Sequence, residues 1–286
     1  MKKIIIFGNG QSGSTLLSLL IGANESTLNC GELFVLVNYF QNHPDKVCMD
    51  DIQLSKHPLW KIVYNELVKN SIKIDSFWRK KNKNHLKFNK NCELFFDTIE
   101  KNIEEDQIVL SIKQQFRLRY MLRNEKLNQS IKPIFLIRDP RAYINSFCKR
   151  YKSKKTFKNK SLIYTIINRT LSWNFNSIKA LILIHFSNKK FIQVKYEDLT
   201  SKPENILTNI MRFCGSNFEQ NQLNYFDTSQ PMFSGNRSLM DKRDPIMFRN
   251  DFAKMNNFRW FLITFLSFPM LIYFKYPILK KPYKNF

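Results

Sequence analysis

The residues best suited to chemistry lie in the first turn of the chain. Gly8-Asn9-Gly10-Gln11-Ser12-Gly13 is a run of small residues, and Ser14-Thr15 follow it directly. An apolar run, Ile4-Ile5-Ile6-Phe7, precedes the turn, and Leu16, Leu17, Leu19 and Leu20 come after it at helical spacing. A strand, a glycine-containing turn and a helix start make an anion site. The first backbone N–H groups of a helix lack intrahelical partners, and the helix dipole favours negative charge there. Gly8, Gly13 and Ser14-Thr15 nearly spell the GxxxxGK[ST] loop of nucleotide triphosphatases, with Ser14 where the lysine belongs. Such a loop can hold a phosphate-like group but lacks the central charge of β/γ-phosphate and Mg²⁺ chemistry. A turn that binds nothing is the competing reading at this point.

The elements that must position this turn follow from periodicity. Residues 107–112 form a strand ending at Lys113, and residues 133–137 form another, ended by Arg138-Asp139-Pro140-Arg141. Residues 190–195 form a further strand, closed by Tyr196-Glu197-Asp198-Leu199. Helices are expected over 58–70, 91–105, 116–127, 142–151, 161–186 and 203–214, the last stopped by Gly215. Residues 24–31 read as a loop and 32–37 as the start of a helix. Strands alternating with helices predict an α/β fold, P-loop-like and three-layered, with a mainly parallel central sheet and helices on both faces. Ligands in such sheets sit at the carboxyl ends of the strands. Those ends carry residues 8–13, Lys113, Arg138 and residues 196–198.

Composition narrows the partners. The chain has 286 residues, 43% of them hydrophobic, and a formal net charge of +23. Anionic partners follow from that charge: a nucleotide, a sulfated or phosphorylated glycan, nucleic acid or an anionic membrane face. Residues 78–91 are strongly basic, but no nucleic-acid module surrounds them, so a solvated loop is the better reading. The five cysteines are scattered, with no CxxC pair, and their odd number argues against a disulfide framework. A cytoplasmic location is expected, since the first strand begins almost at Met1 with no signal peptide before it.

Three motifs in order sharpen the reading. QSGSTLL after the first strand, IRDPRAYINSF after residue 136 and VKYEDLTSKPENIL from residue 194 together resemble the sulfotransferase family, which uses 3′-phosphoadenosine 5′-phosphosulfate (PAPS) and releases adenosine 3′,5′-bisphosphate (PAP). The resemblance covers residues 4 to about 237 and implies a sulfotransferase domain over 1–257 with an insertion at about 41–105. It implies that Gln11, Ser12, Gly13, Ser14 and Thr15 hold the phosphosulfate end without a metal. It further implies that Arg138 and Ser146 grip the 3′-phosphate, and that Arg237, after Ser234-Gly235-Asn236, adds a second contact to it. An arginine fork and a hydroxyl suit one phosphate. Gln11 departs from the family pattern, which often has Arg or Lys there. Lys113 is the natural substitute for that charge. Cys30-Gly31-Glu32 resembles the Gly-Glu segment of the tyrosylprotein and carbohydrate-type branches, which implies Glu32 as general base. A carboxylate that merely favours a helix start is the alternative for Glu32, and an ion pair with Asp139 or Glu197 is the alternative for Arg138. Arg141 reads as a helper or a surface charge, and Trp173 as core.

The expected acceptor is a hydroxyl of a carbohydrate, lipid or polysaccharide, met by loops within 41–91 and 152–160. Two alternatives stand beside it: an inactive PAP-binding protein of the same fold, which Gln11 permits, and a P-loop nucleotide kinase, which the missing lysine opposes. The tail, residues 258–286, holds an apolar stretch at 260–274 flanked by Lys275, Lys280, Lys281 and Lys284. Fifteen residues interrupted by Pro269 are short for a span, which needs about 20. A membrane-surface segment is the reading taken, with a terminal helix packed on the domain as its competitor.

Overall fold

Five parallel strands carry the site. A computed structural model describes residues 1–72, 85–153, 161–236, 239 and 255–279. The strands are β1 (Lys2–Gly8), β2 (Thr27–Gly31), β3 (Gln107–Ile112), β4 (Ile131–Ile137) and β5 (Ile192–Lys195), in the order β2-β3-β1-β4-β5. All neighbouring pairs are parallel. The central strand β1 is apolar on both sides, as a strand covered on both faces must be. Ile5 and Phe7 join one core with Leu110, Phe135 and Trp173, whereas Ile4 and Ile6 join a second with Val109, Ile134 and Leu17. That split defines the expected three layers.

One layer holds α1 (Ser14–Gly22) and, later in the chain, α10 (Pro203–Cys214), whose Leu207, Ile210 and Met211 line the second core. Gly215 ends α10 in a left-handed conformation at φ 74, as the sequence predicts. The other layer holds α2 (Leu36–Asn42), α3 (Pro58–Lys69) and α4 (His85–Glu100), and beyond them the long α8 (Leu162–Phe186). Trp173 of α8 is fully buried and meets Phe274 with ring centroids 6.2 Å apart, so its core reading holds. The remaining helices are α5 (Gln115–Leu122), α6 (Glu125–Ser130), α7 (Pro140–Ser153), α9 (Tyr196–Ser201), α11 (Asn257–Leu266) and α12 (Phe268–Tyr273).

Two expectations are corrected. The segment read as a loop at 24–31 contains β2, a fully buried edge strand. Its sequence, TLNCG, alternates polar with apolar residues over only four positions and ends in a glycine, which is too short a pattern to mark a strand. Asn29 is buried there because its side chain bonds Ser18 and Gln230, with Ser18 Oγ donating at 2.6 Å and Asn29 Nδ2 donating to Gln230 Oε1 at 2.6 Å. The basic helix at 116–127 is two helices, because Asn124 breaks it and caps the second by accepting from the Leu127 N–H at 2.9 Å. Residues 73–84 and 154–160, where parts of the acceptor loops were expected, lie outside the described residues, as do Arg237, Lys280, Lys281 and Lys284.

Candidate active site

The carboxyl ends of all five strands converge on one edge of the sheet. The turn at 8–13 leaves β1, Glu32 follows β2, Lys113 follows β3, Arg138 follows β4, and Tyr196 and Glu197 follow β5. A cavity of about 880 Å³ opens at the opposite ends, lined by Ser26, His57, Glu104 and Asp106, so it is separate from these groups.

The turn is shaped by contacts that forbid larger residues. Gly13 caps α1 at φ 95, and a Cβ on it would lie 2.3 Å from the Tyr196 ring. Gly10 faces open space. Gln11 also has a positive φ, 64, which is uncommon for a residue with a side chain. Its backbone carbonyl accepts from Arg138 Nη1 at 3.2 Å. The Arg138 guanidinium carbon sits 4.3 Å from the Tyr196 ring centroid. Tyr196 therefore seats both the turn and the arginine, a role its motif did not disclose. The Ser12 hydroxyl and Gln11 Oε1 are buried without a protein hydrogen-bond partner. The Ser12 hydroxyl, which can donate, the open face at Gly10 and the unpaired N–H groups of the helix start fit an anionic group, with Arg138 beside them. Ser146 lies half-buried on α7, about two turns after Pro140.

A late loop closes over this edge. The Asn236 N–H donates to Thr15 Oγ1 at 3.1 Å, and the Glu32 N–H donates to Ser234 Oγ at 3.0 Å. Gly31 approaches so closely that a Cβ would be 2.6 Å from the Ser234 carbonyl oxygen. The loop thus ties the phosphate-type turn to Glu32.

Glu32 precedes a short 3₁₀ turn, Leu33–Val35, yet its side chain makes no capping bond there. It turns instead to Lys113, with Oε1 2.5 Å from Nζ. Parallel pairing of β2 with β3 brings these residues together across the sequence. Their side chains are 22% and 56% exposed, so both reach solvent. A further cation stands close: Arg117 of α5 is buried, with its guanidinium 5.1 Å from the Phe34 ring. Burial pushes Arg117 down to about 10, while Cys92 and Glu32 pull it up. Arg117 and Arg119 share α5, and only packing distinguishes the first.

Beneath Arg138 lies a buried charged layer. Arg141 grips the Asp139 carboxylate through Nε at 2.9 Å and Nη2 at 2.6 Å, and both residues are fully buried. The Arg141 guanidinium carbon also lies 4.0 Å from the Trp260 ring centroid. Arg141 is not a surface charge; it occupies the carboxylate considered for Arg138. Glu197 completes the layer, accepting from the Asp139 N–H at 3.0 Å and from the Tyr276 hydroxyl at 3.0 Å. Among the described residues, no group of three or more His, Cys, Asp or Glu could hold a metal ion.

A sequence profile of the Sulfotransferase family matches residues 3–220. The chain belongs to that family. It is a PAPS-dependent sulfotransferase, and the kinase alternative falls away. No curated protein matches the sequence. The fold is similar to the sulfotransferase domain of the Synechococcus PCC 7002 olefin synthase, at TM-score 0.64 and 18% identity, covering 97% of this chain and 95% of that one. It is also similar to mouse sulfotransferase SULT7A1 complexed with PAP, at TM-score 0.53 and 11% identity, covering 95% and 85%. A third, the sulfotransferase domain of the curacin biosynthetic pathway, aligns at TM-score 0.51 and 18% identity, covering 98% and 94%.

The buried layer of this sulfotransferase sets a pH dependence of stability. Burial, and then the nearby Asp139 charge, push the Glu197 carboxyl up from 4.5 to about 7. The folded state then holds a proton that the unfolded chain releases, so stability falls as pH rises across that window. Glu197→Gln keeps acceptor and donor capacity but does not titrate. The variant should gain on the wild type in thermal melts between about pH 5 and about pH 8, as this linkage requires. Equal changes in the two proteins would refute it.

Proposed function

We propose that the sulfotransferase transfers a sulfuryl group from PAPS to a hydroxyl of a carbohydrate, lipid or polysaccharide acceptor, with Glu32 as general base and without a metal. The observation that carries this is the Glu32–Lys113 pair at 2.5 Å on adjacent strand ends. Bound PAPS supplies the sulfuryl group and leaves as PAP. Gln11, Ser12, Gly13, Ser14 and Thr15 would hold its sulfated end. Arg138 and Ser146 would hold the 3′-phosphate, and Arg237 would add to that contact. Glu32 accepts the proton of the acceptor hydroxyl at a carboxylate oxygen. Lys113 holds Glu32 at the strand ends, and its ammonium offsets developing negative charge. With Gln11 neutral, Lys113 is the charge that replaces the usual basic residue. We place the protein in the cytoplasm, with the sulfotransferase domain over 1–257 and the exposed side chains of the 258–286 segment at a membrane surface, while its Phe274 and Tyr276 stay packed in the domain.

Calorimetric titration with PAP and with ATP–Mg²⁺, followed by transfer assays with labelled PAPS on glycan and lipid hydroxyls, tests the reading. Tight PAP binding, weak ATP binding and label on a hydroxyl product are expected. PAP binding with no turnover on any acceptor would favour the inactive reading that Gln11 permits.

A further inference from the structure

Three helices expose apolar faces of unusual size. On α8, Tyr164, Leu171, Phe175, Ile178, Ile182 and Phe186 are all exposed. Their spacing of seven, four, three, four and four residues puts them on one stripe. The opposite face of the same helix buries Ile166, Trp173, Ser177 and Ala180. On α11, Phe258, Phe261 and Phe265 are exposed, the last two 68% each, and α12 adds Phe268, Ile272 and Tyr273. The Asn174 side chain donates to the Leu266 carbonyl at 2.8 Å. That bond joins the helices beside Phe175 and Phe265, so the two stripes form one face. Monomeric surfaces rarely leave so many large apolar side chains together.

The charges around the face identify its occupant. Neither residues 161–196 nor residues 252–286 contain a single Asp or Glu. The cations Lys179, Arg259 and Lys275 stand among the apolar residues, and the Lys179 ammonium sits 4.1 Å from the Phe175 ring centroid. Two copies would bring two wholly basic faces together with no carboxylate to answer them. No helix among the described residues is long and apolar enough to cross a membrane. An aromatic face studded with cations matches instead the boundary of a bilayer bearing anionic headgroups, where rings sit at the acyl edge and ammonium groups meet phosphate.

We propose that the face formed by α8, α11 and α12 docks on an anionic membrane surface. This deepens the membrane-surface reading of residues 258–286 and rests on it, extending the contact to α8. The opposite, buried side of α8 meets the active edge, where Ser177 accepts from Asn9 of the turn at 3.1 Å, so one helix separates the docking face from the turn. A lipid or lipid-linked glycan then becomes the favoured acceptor.

The test is cosedimentation of the full chain with vesicles of equimolar phosphatidylglycerol and phosphatidylcholine, and with phosphatidylcholine alone. Binding to the anionic vesicles only, weakened by added salt, is expected. The double variant Phe175→Ser/Phe265→Ser and the charge reversal Lys179→Glu/Arg259→Glu should each lower the bound fraction at least tenfold. Phe175, Phe265 and Lys179 are exposed and Arg259 is half-buried, and retained PAP binding verifies the fold. Absence of binding to anionic vesicles, equal binding to both kinds, or binding that survives both variants overturns the proposal. So does a dimer in sedimentation velocity without lipid that the same substitutions dissolve. PAP titration without vesicles separates the two readings: failure there would count against the catalytic assignment, whereas failure with vesicles would count against the docking face alone.

Discussion

Glu32→Gln should lower kcat about 100-fold or more while leaving PAP affinity unchanged, the scale expected when a positioned base is lost. The amide is nearly isosteric and can still accept from Lys113, so the local structure survives. What disappears is the ability to take a proton from the acceptor hydroxyl. The competing role, a carboxylate serving a helix start, predicts the opposite pattern of lowered stability with activity intact. The geometry already disfavours that role, since Glu32 makes no capping bond and is drawn to Lys113. The pair is partly exposed, so its own contribution to stability is about 0–1 kcal/mol and the melting temperature should barely move. Lys113→Ala provides the second arm. If Lys113 and Glu32 work as one unit, the double variant should lose far less than the product of the single losses. Steady-state kinetics with labelled PAPS on the four proteins reads this directly. An unchanged kcat in Glu32→Gln would remove Glu32 from the chemistry.

How much of this was legible in the sequence differs by residue. The turn at 8–13 and the strand end at Arg138 could be read because apolar runs abut small or charged residues there. Those runs form β1 and β4, buried on both faces. Gly215 likewise announced the end of α10. The strand β2 was not legible, because its alternation is short and the burial of its Asn29 depends on Gln230, far away in the chain. Arg141 was misjudged for a related reason. A sequence shows an arginine after a strand, but not that Asp139 and Trp260 enclose it. Tyr196 was recognised as part of a structural motif, yet its packing against Gly13 and Arg138 appears only in three dimensions. Local pattern reports elements and their ends; it does not report which distant side chain fills the space between them.

Arg138→Ala should weaken PAP binding about 100-fold, equivalent to about 2.8 kcal/mol, in keeping with the loss of one or two charge-assisted hydrogen bonds. The arginine is held in readiness before any ligand arrives. It is nearly buried, its guanidinium lies over the Tyr196 ring, and one nitrogen is tied to the Gln11 carbonyl. Because the same side chain braces the turn, a loss of affinity alone would not distinguish phosphate binding from loop support. The ligand itself makes the distinction. The wild type should prefer adenosine 3′,5′-bisphosphate to adenosine 5′-monophosphate strongly, and that preference should vanish in Arg138→Ala if the guanidinium meets the 3′-phosphate. If Arg138 only supports the turn, both ligands should weaken together and the preference should persist. Arg138→Lys sharpens the comparison, since it keeps the charge but loses the planar fork, and should recover only part of the discrimination. Calorimetry with the two nucleotides on the three proteins gives the answer without any knowledge of the acceptor.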